Sequence, residues 1–121
     1  MIKGIKFVNI PVADQDKALS FYTEKLGFRI HTDQPFNEKQ RWIEISIPGA
    51  DTGLTLFTPD EHQNRIGTFT GISFLTDDVQ RTYEELSGRG VEFMGPPTKQ
   101  PWGHFAMFKD VDGNQFVVSS R

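Results

Sequence analysis

The sequence predicts an α+β fold made of two tandem β-α-β-β-β units, and three observations carry that expectation. First, the chain repeats itself. Ile5-Lys6-Phe7-Val8-Asn9-Ile10 leads through a helix opened by Asp14 to Leu26-Gly27-Phe28-Arg29-Ile30. Gly71-Ile72-Ser73-Phe74-Leu75 leads in the same way, through a helix opened by Asp77 or Asp78, to Gly90-Val91-Glu92-Phe93. Second, the offset is nearly constant: 71 − 7 = 64 at the strand and 90 − 27 = 63 at the glycine, so the second helix is one residue shorter. Third, each helix is followed by strand-like runs bounded by turn residues. A repeated block of this size cannot bury its apolar face alone, and two blocks leave a seam that a ligand can occupy.

The elements follow in order. Residues 5–10 are rich in β-branched and aromatic residues and read as a strand. Asp14 suits an N-cap, and Ala18, Leu19, Tyr22 and Leu26 form an apolar face at helical spacing. Gly27 stands where a helix ends in the left-handed conformation. Phe28 to His31 resumes a strand, and the polar run 33–40, broken by Pro35, reads as a mobile loop. From Arg41 to Ile47, Ile43, Ile45 and Ile47 alternate with Trp42, Glu44 and Ser46, giving a strand with two unlike faces. Pro48 to Asp51 turns the chain into a strand from Leu54 to Thr58. A polar connector, about 60–67, separates repeat one (about 1–59) from repeat two (about 68–121).

Repeat two opens with a strand at 69–75. Its helix, about 78–88, carries Val79, Tyr83 and Leu86 at i, i+4 and i+7 and ends at Gly90. Val91 to Phe93 is a strand, whereas 95–101, with three prolines, reads as irregular. Phe105–Lys109 and Gln115–Ser119 form a hairpin across Asp110-Val111-Asp112-Gly113-Asn114.

Composition narrows the function. At 121 residues the length predicts a single domain spanning 1–121. A net charge of −3 with scattered Lys and Arg lacks the basic stripe of a nucleic-acid binder. The absence of cysteine excludes disulfides and thiolate metal sites. No signal peptide or bilayer-length apolar run is evident, so the expected location is cytoplasmic, with no membrane partner.

Two stretches carry a resemblance. Val12-Ala13-Asp14 through Phe21-Tyr22-Thr23-Glu24-Lys25-Leu26-Gly27-Phe28 resembles the first-half signature of the vicinal oxygen chelate superfamily. Pro101-Trp102-Gly103 with Phe108-Lys109-Asp110-Val111-Asp112-Gly113-Asn114 resembles its second-half signature. That superfamily includes glyoxalase I, extradiol dioxygenases, fosfomycin-resistance enzymes and bleomycin-resistance proteins. The resemblance implies curled mixed sheets around a cleft, a homodimer, and in the metalloenzymes one divalent metal held by His or Glu on four strands. Here the four corresponding positions are Phe7, Thr55, Gly71 and Val117, and only the Thr hydroxyl offers a weak ligand. The expectation is therefore no metal at the family's usual positions and no other cofactor, with a divalent metal conceivable only at relocated residues.

The remaining residues offer little other chemistry. His62 falls in the connector, His31 ends a strand, and His104 alternates away from the face shared by Phe105, Met107 and Val117. Glu44 is the best candidate catalytic residue, because a carboxylate held among aromatic rings suits a general base. The bland reading, an exposed strand Glu, competes with it. Asp110-x-Asp112-Gly113-Asn114 lacks the downstream Glu of a calcium loop and reads as a turn. By strand alternation the cleft-facing set is Phe7, Asn9, Trp42, Glu44, Thr55 and Phe57 from repeat one. Repeat two adds Ser73, Phe105, Met107 and Val117, with Trp102 as rim or lid and Phe36 in the opposite loop. Apolar walls with a few polar anchors suit a small, planar or aromatic ligand. Two functions compete: metal-independent binding of such a molecule, and a lyase, isomerase or dioxygenase using relocated ligands or Glu44.

Overall fold

The computed structural model describes residues 1–61 and 63–121, and its backbone forms two compact units, Met1–Ile66 and Gly67–Arg121. Each is an α+β unit with one curled, mixed sheet. His62 lies outside the described residues.

In the first unit the elements are β1 (Phe7–Pro11), α1 (Gln15–Ser20), a π-helical turn (Phe21–Lys25), β2 (Arg29–Pro35), β3 (Arg41–Ser46) and β4 (Gly53–Phe57). The sheet order is β1-β4-β3-β2, parallel between β1 and β4 and otherwise antiparallel. Asp14 caps α1 by accepting the Lys17 N–H at 3.1 Å. The apolar face of β3 and β4, Ile43, Ile45, Leu54 and Leu56, is buried with Ile10, Ala18, Phe21 and Tyr22.

The one-residue difference between the repeats has a structural cause. The first helix does not run on as α to Leu26: it widens at Phe21, where the Leu26 N–H reaches the Phe21 carbonyl five residues back at 3.4 Å. The extra residue lies between the Asp14 cap and Gly27, and the wider turn lets Phe21 and Tyr22 both be buried. Gly27 has φ 77°, and a Cβ there would meet nothing within 4 Å. Gly27→Ala therefore carries only the backbone cost of the left-handed region, and urea denaturation should show a loss of about 1 kcal/mol.

Two expectations need correction here. The run 33–40 is not one mobile loop: β2 continues to Pro35 and pairs with Arg41, leaving only residues 36–40 as the tip. The strand tolerates Pro35 because β2 is an edge of its sheet, where a missing N–H costs no ladder bond. The tip itself is tied, since Asn37 Oδ1 accepts the N–H groups of Lys39 and Gln40 at 2.8 and 3.0 Å.

The second unit contains β5 (Phe69–Leu75), α2 (Val79–Gly88), β6 (Glu92–Phe93), β7 (Thr98–Gln100), β8 (Gly103–Lys109) and β9 (Gln115–Ser119). The order is β5-β9-β8-β6, with β7 also on β8. The second correction is β7, which forms in the stretch read as irregular. Its three residues lie between Pro97 and Pro101, so no proline interrupts its pairing with residues 103–105. Asp78 caps α2 through the Arg81 N–H at 3.0 Å, and Gly90 (φ 89°) closes it with bonds to the Ser87 and Leu86 carbonyls from Gly90 and Val91.

The core of this unit is aromatic. Phe108 packs on Phe116, Phe93 and Phe74 at centroid distances of 5.5, 5.6 and 6.1 Å, and Tyr83 meets Phe93 edge-on at 4.9 Å. The Asp110–Asn114 turn is held by the buried Asp110 carboxylate, which accepts the Asp112 and Asn114 N–H groups at 2.9 Å each. No helix among the described residues is long and apolar enough to cross a membrane.

Candidate functional site

Strand register places one expected set on a single face of the first sheet. Asn9 lies beside Thr55, and Thr55 beside Glu44, across β1, β4 and β3. Phe7, Phe57 and Trp42 fall on the same face two residues away, opposite the buried Ile and Leu residues. A hollow of about 360 Å³ opens there, walled by Phe7, Trp42, Phe57 and Phe36, with Asn9, Thr55, Gln40 and Arg41 supplying polar atoms. Its volume is that of a small-molecule pocket.

The rings lean on one another. Trp42 is met edge-on by Phe7 at 5.7 Å and approached by Phe36 at 6.0 Å. Phe36 is 62% exposed, so its ring spends apolar surface on the hollow's rim instead of the core. The Trp42 indole is also held by Glu44, its Nε1–H donating to Glu44 Oε1 at 2.9 Å. Glu44 is thus set to orient the indole. It does not line this hollow but a second one of about 290 Å³, with Lys6 and His31. His31 falls at an irregularity in the β2–β3 pairing, between Ile30 and Thr32.

Two glutamines that sequence reasoning passed over fasten the strands that carry the hollow. Gln15, in the first turn of α1, is buried and spans β3 and β4. Its Nε2 donates to the Arg41 and Leu56 carbonyls at 2.8 and 2.9 Å, while its Oε1 accepts the Arg41 N–H at 3.0 Å. Gln40 Oε1 accepts the Thr58 N–H at 3.0 Å, fastening the β2–β3 tip to the end of β4. Neither had a sequence signal, because both sit in polar surroundings where a glutamine ordinarily faces water. Arg41 forks between Asp16 (2.8 Å) and Asp33 (2.9 Å); these hydrogen bonds, Asp16 first, raise its pKa beyond the usual arginine value.

In the second unit, Ser73, Met107 and Val117 align across β5, β9 and β8, and Phe105 lies on the same face. Trp102, 69% exposed, stacks on Phe105 at 5.3 Å with its plane tilted by 19°. Ser73 pairs with Ser119 through their hydroxyls at 2.8 Å. His104 lies opposite Lys99 on β7, one residue out of step with that face.

The positions that would hold a metal can be tested on their donors. The side chains at Phe7, Gly71 and Val117 have no lone pair to offer, and the hydroxyl of buried Thr55 donates to Asn9 Oδ1. Those four residues do not fit a divalent ion. Among the described residues no group of three or more His, Asp or Glu side chains is close enough to form another site.

A family model described as the Glyoxalase/Bleomycin resistance protein/Dioxygenase superfamily matches residues 4–118. The chain belongs to that superfamily. The chain is 40% identical over 118 residues to the uncharacterized protein YetH of Bacillus subtilis (strain 168), covering 98% of each chain. A crystal structure of a superfamily member from Sphaerobacter thermophilus DSM 20745 superposes with TM-score 0.91 at 36% identity, covering 99% of this chain and 98% of that one. TnmS3, an antibiotic binding protein from Streptomyces sp. CB03234, matches with TM-score 0.88 at 37% identity, covering 98% and 96%. The superfamily resemblance carried by the sequence is thus borne out.

Proposed function

We propose that this superfamily member binds a planar, aromatic small molecule in the Trp42 hollow, without a metal. The observation that carries the reading is a wall of rings from Phe7, Trp42, Phe36 and Phe57 around about 360 Å³, at a place where two of the family's ligand positions hold Phe7 and Thr55. Flat ligands gain both apolar burial and ring stacking from such walls. The antibiotic-binding TnmS3, at 37% identity over nearly the whole chain, supports a binding role over a catalytic one. In this reading Glu44 fixes the indole and takes no proton from a substrate, and the chain works as a cytoplasmic homodimer.

The two tryptophans make the test direct. In a Trp102→Phe variant the one remaining tryptophan is Trp42, so a flat aromatic ligand bound in the hollow should quench the tryptophan emission. A panel of such molecules should also raise the melting temperature, since ligand bound to the native state alone stabilises it by mass action. Zn, Ni, Mn and Fe ions should leave it unmoved. Stabilisation by a metal but by no flat ligand would overturn the proposal in favour of a relocated metal centre.

A further inference from the structure

The polar atoms of the hollow are not neutral as to what they will accept. Gln40 Oε1 faces the Thr58 N–H, and a backbone amide can only donate, so the orientation of this side-chain amide is settled. The Asn9 side chain is placed the same way, its Oδ1 accepting the hydroxyl of buried Thr55. In both side chains the oxygen is directed at the protein and the nitrogen is left over. Neither nitrogen meets an acceptor among the described residues. The other donors nearby are already used: the Trp42 N–H on Glu44, and the Thr55 O–H on Asn9. What the walls offer an incoming molecule is therefore a pair of amide N–H₂ groups beside aromatic rings, the Arg41 guanidinium at the edge being already paired with Asp16 and Asp33.

We infer that the molecule taken by this hollow is a flat ring system carrying a carbonyl-type acceptor oxygen, received by Asn9 Nδ2 and Gln40 Nε2. The inference rests on the reading that the hollow binds a planar molecule, and it adds the polar half of the specificity. A donor buried by a ligand that cannot accept from it loses its water without replacement, which penalises ring systems lacking the oxygen. Ligands that bring only N–H groups are penalised further, because donor then faces donor.

Three tricycles of one shape separate the terms: 9-fluorenone, with one carbonyl, fluorene, with a methylene in its place, and carbazole, with an N–H. Equilibrium dialysis against the wild-type chain should rank fluorenone about tenfold tighter than either of the others, the discrimination of about one net hydrogen bond. Asn9→Asp and Gln40→Glu keep the oxygens that Thr55 and Thr58 use while removing both N–H₂ groups, so they should close the gap between fluorenone and fluorene. Melting curves confirm that the variants fold, and should one not fold, the wild-type ranking decides alone. Fluorenone binding no tighter than fluorene, or carbazole binding tightest, overturns this inference and leaves the planar-ligand reading intact. Binding of none of the three, with no quenching of Trp42, removes both.

Discussion

Trp42→Ala is expected to weaken binding of a planar ligand by about 30-fold, roughly 2 kcal/mol, the scale on which central aromatic anchors act. The indole is the ring that both neighbours use. Phe7 stands edge-on to it and Phe36 leans on it, so its removal loosens three walls at once. It also strips Glu44 of the N–H it accepts and leaves a carboxylate beside the hollow. Trp42→Phe keeps a ring but not that bond, and should fall between the two. A titration of 9-fluorenone by equilibrium dialysis against wild type, Trp42→Phe and Trp42→Ala measures the series. Equal affinities across it would show that the ligand sits elsewhere.

Gln15→Ala is expected to lower stability by about 3 kcal/mol, measured by urea denaturation, because one side chain satisfies three backbone groups. The Arg41 N–H, the Arg41 carbonyl and the Leu56 carbonyl would all lose their partner at the place where α1 meets β3 and β4. Gln15→Glu tests the same site by pH. The introduced carboxylate keeps the bond from the Arg41 N–H, but when ionised it faces two carbonyl oxygens it can no longer donate to. The protonated acid can donate to one of them, so folding should raise the pKa of this new carboxyl above its unfolded value of about 4.3. Stability tied to a raised pKa is present below the unfolded value and is lost as pH rises through the folded one. The Gln15→Glu protein should thus be most nearly wild-type in acid and progressively weaker towards neutrality, relative to wild type. A flat difference across that range would mean the side chain has swung into water.

Much of this molecule could be read from one dimension because its signals are local. Asp14 and Asp78 announce helix starts by residue type, Gly27 and Gly90 announce helix ends, and the alternation of Ile43 and Ile45 with Trp42 and Glu44 assigns faces to β3. The misreadings share a cause as well. Residues 33–35 and 98–100 carry polar or proline-flanked sequences that no local rule makes into strands. They pair because a neighbouring strand, β3 or β8, offers an edge, and edge pairing asks little of the incoming residues. The π-helical turn was visible as a one-residue mismatch between repeats, but not where the extra residue would go.

By itself, the sequence determined the duplication and the two-faced strands, since each depends only on residue type and spacing, whereas Phe7, Thr55, Gly71 and Val117 were singled out as metal positions only through the family resemblance. Tertiary structure alone decided which aromatic rings form a core and which wall a hollow. Phe108 and Phe116 are buried and packed on half-buried Phe93 and Phe74, whereas Phe7 and Phe36 gather on Trp42, although all are simply phenylalanines in or beside strands. It also decided that Gln15 and Gln40 are structural fasteners and that Asn9 turns its nitrogen outward. Those assignments depend on partners 26, 41, 18 and 46 residues away, and lateral neighbours across a sheet leave no trace in local periodicity.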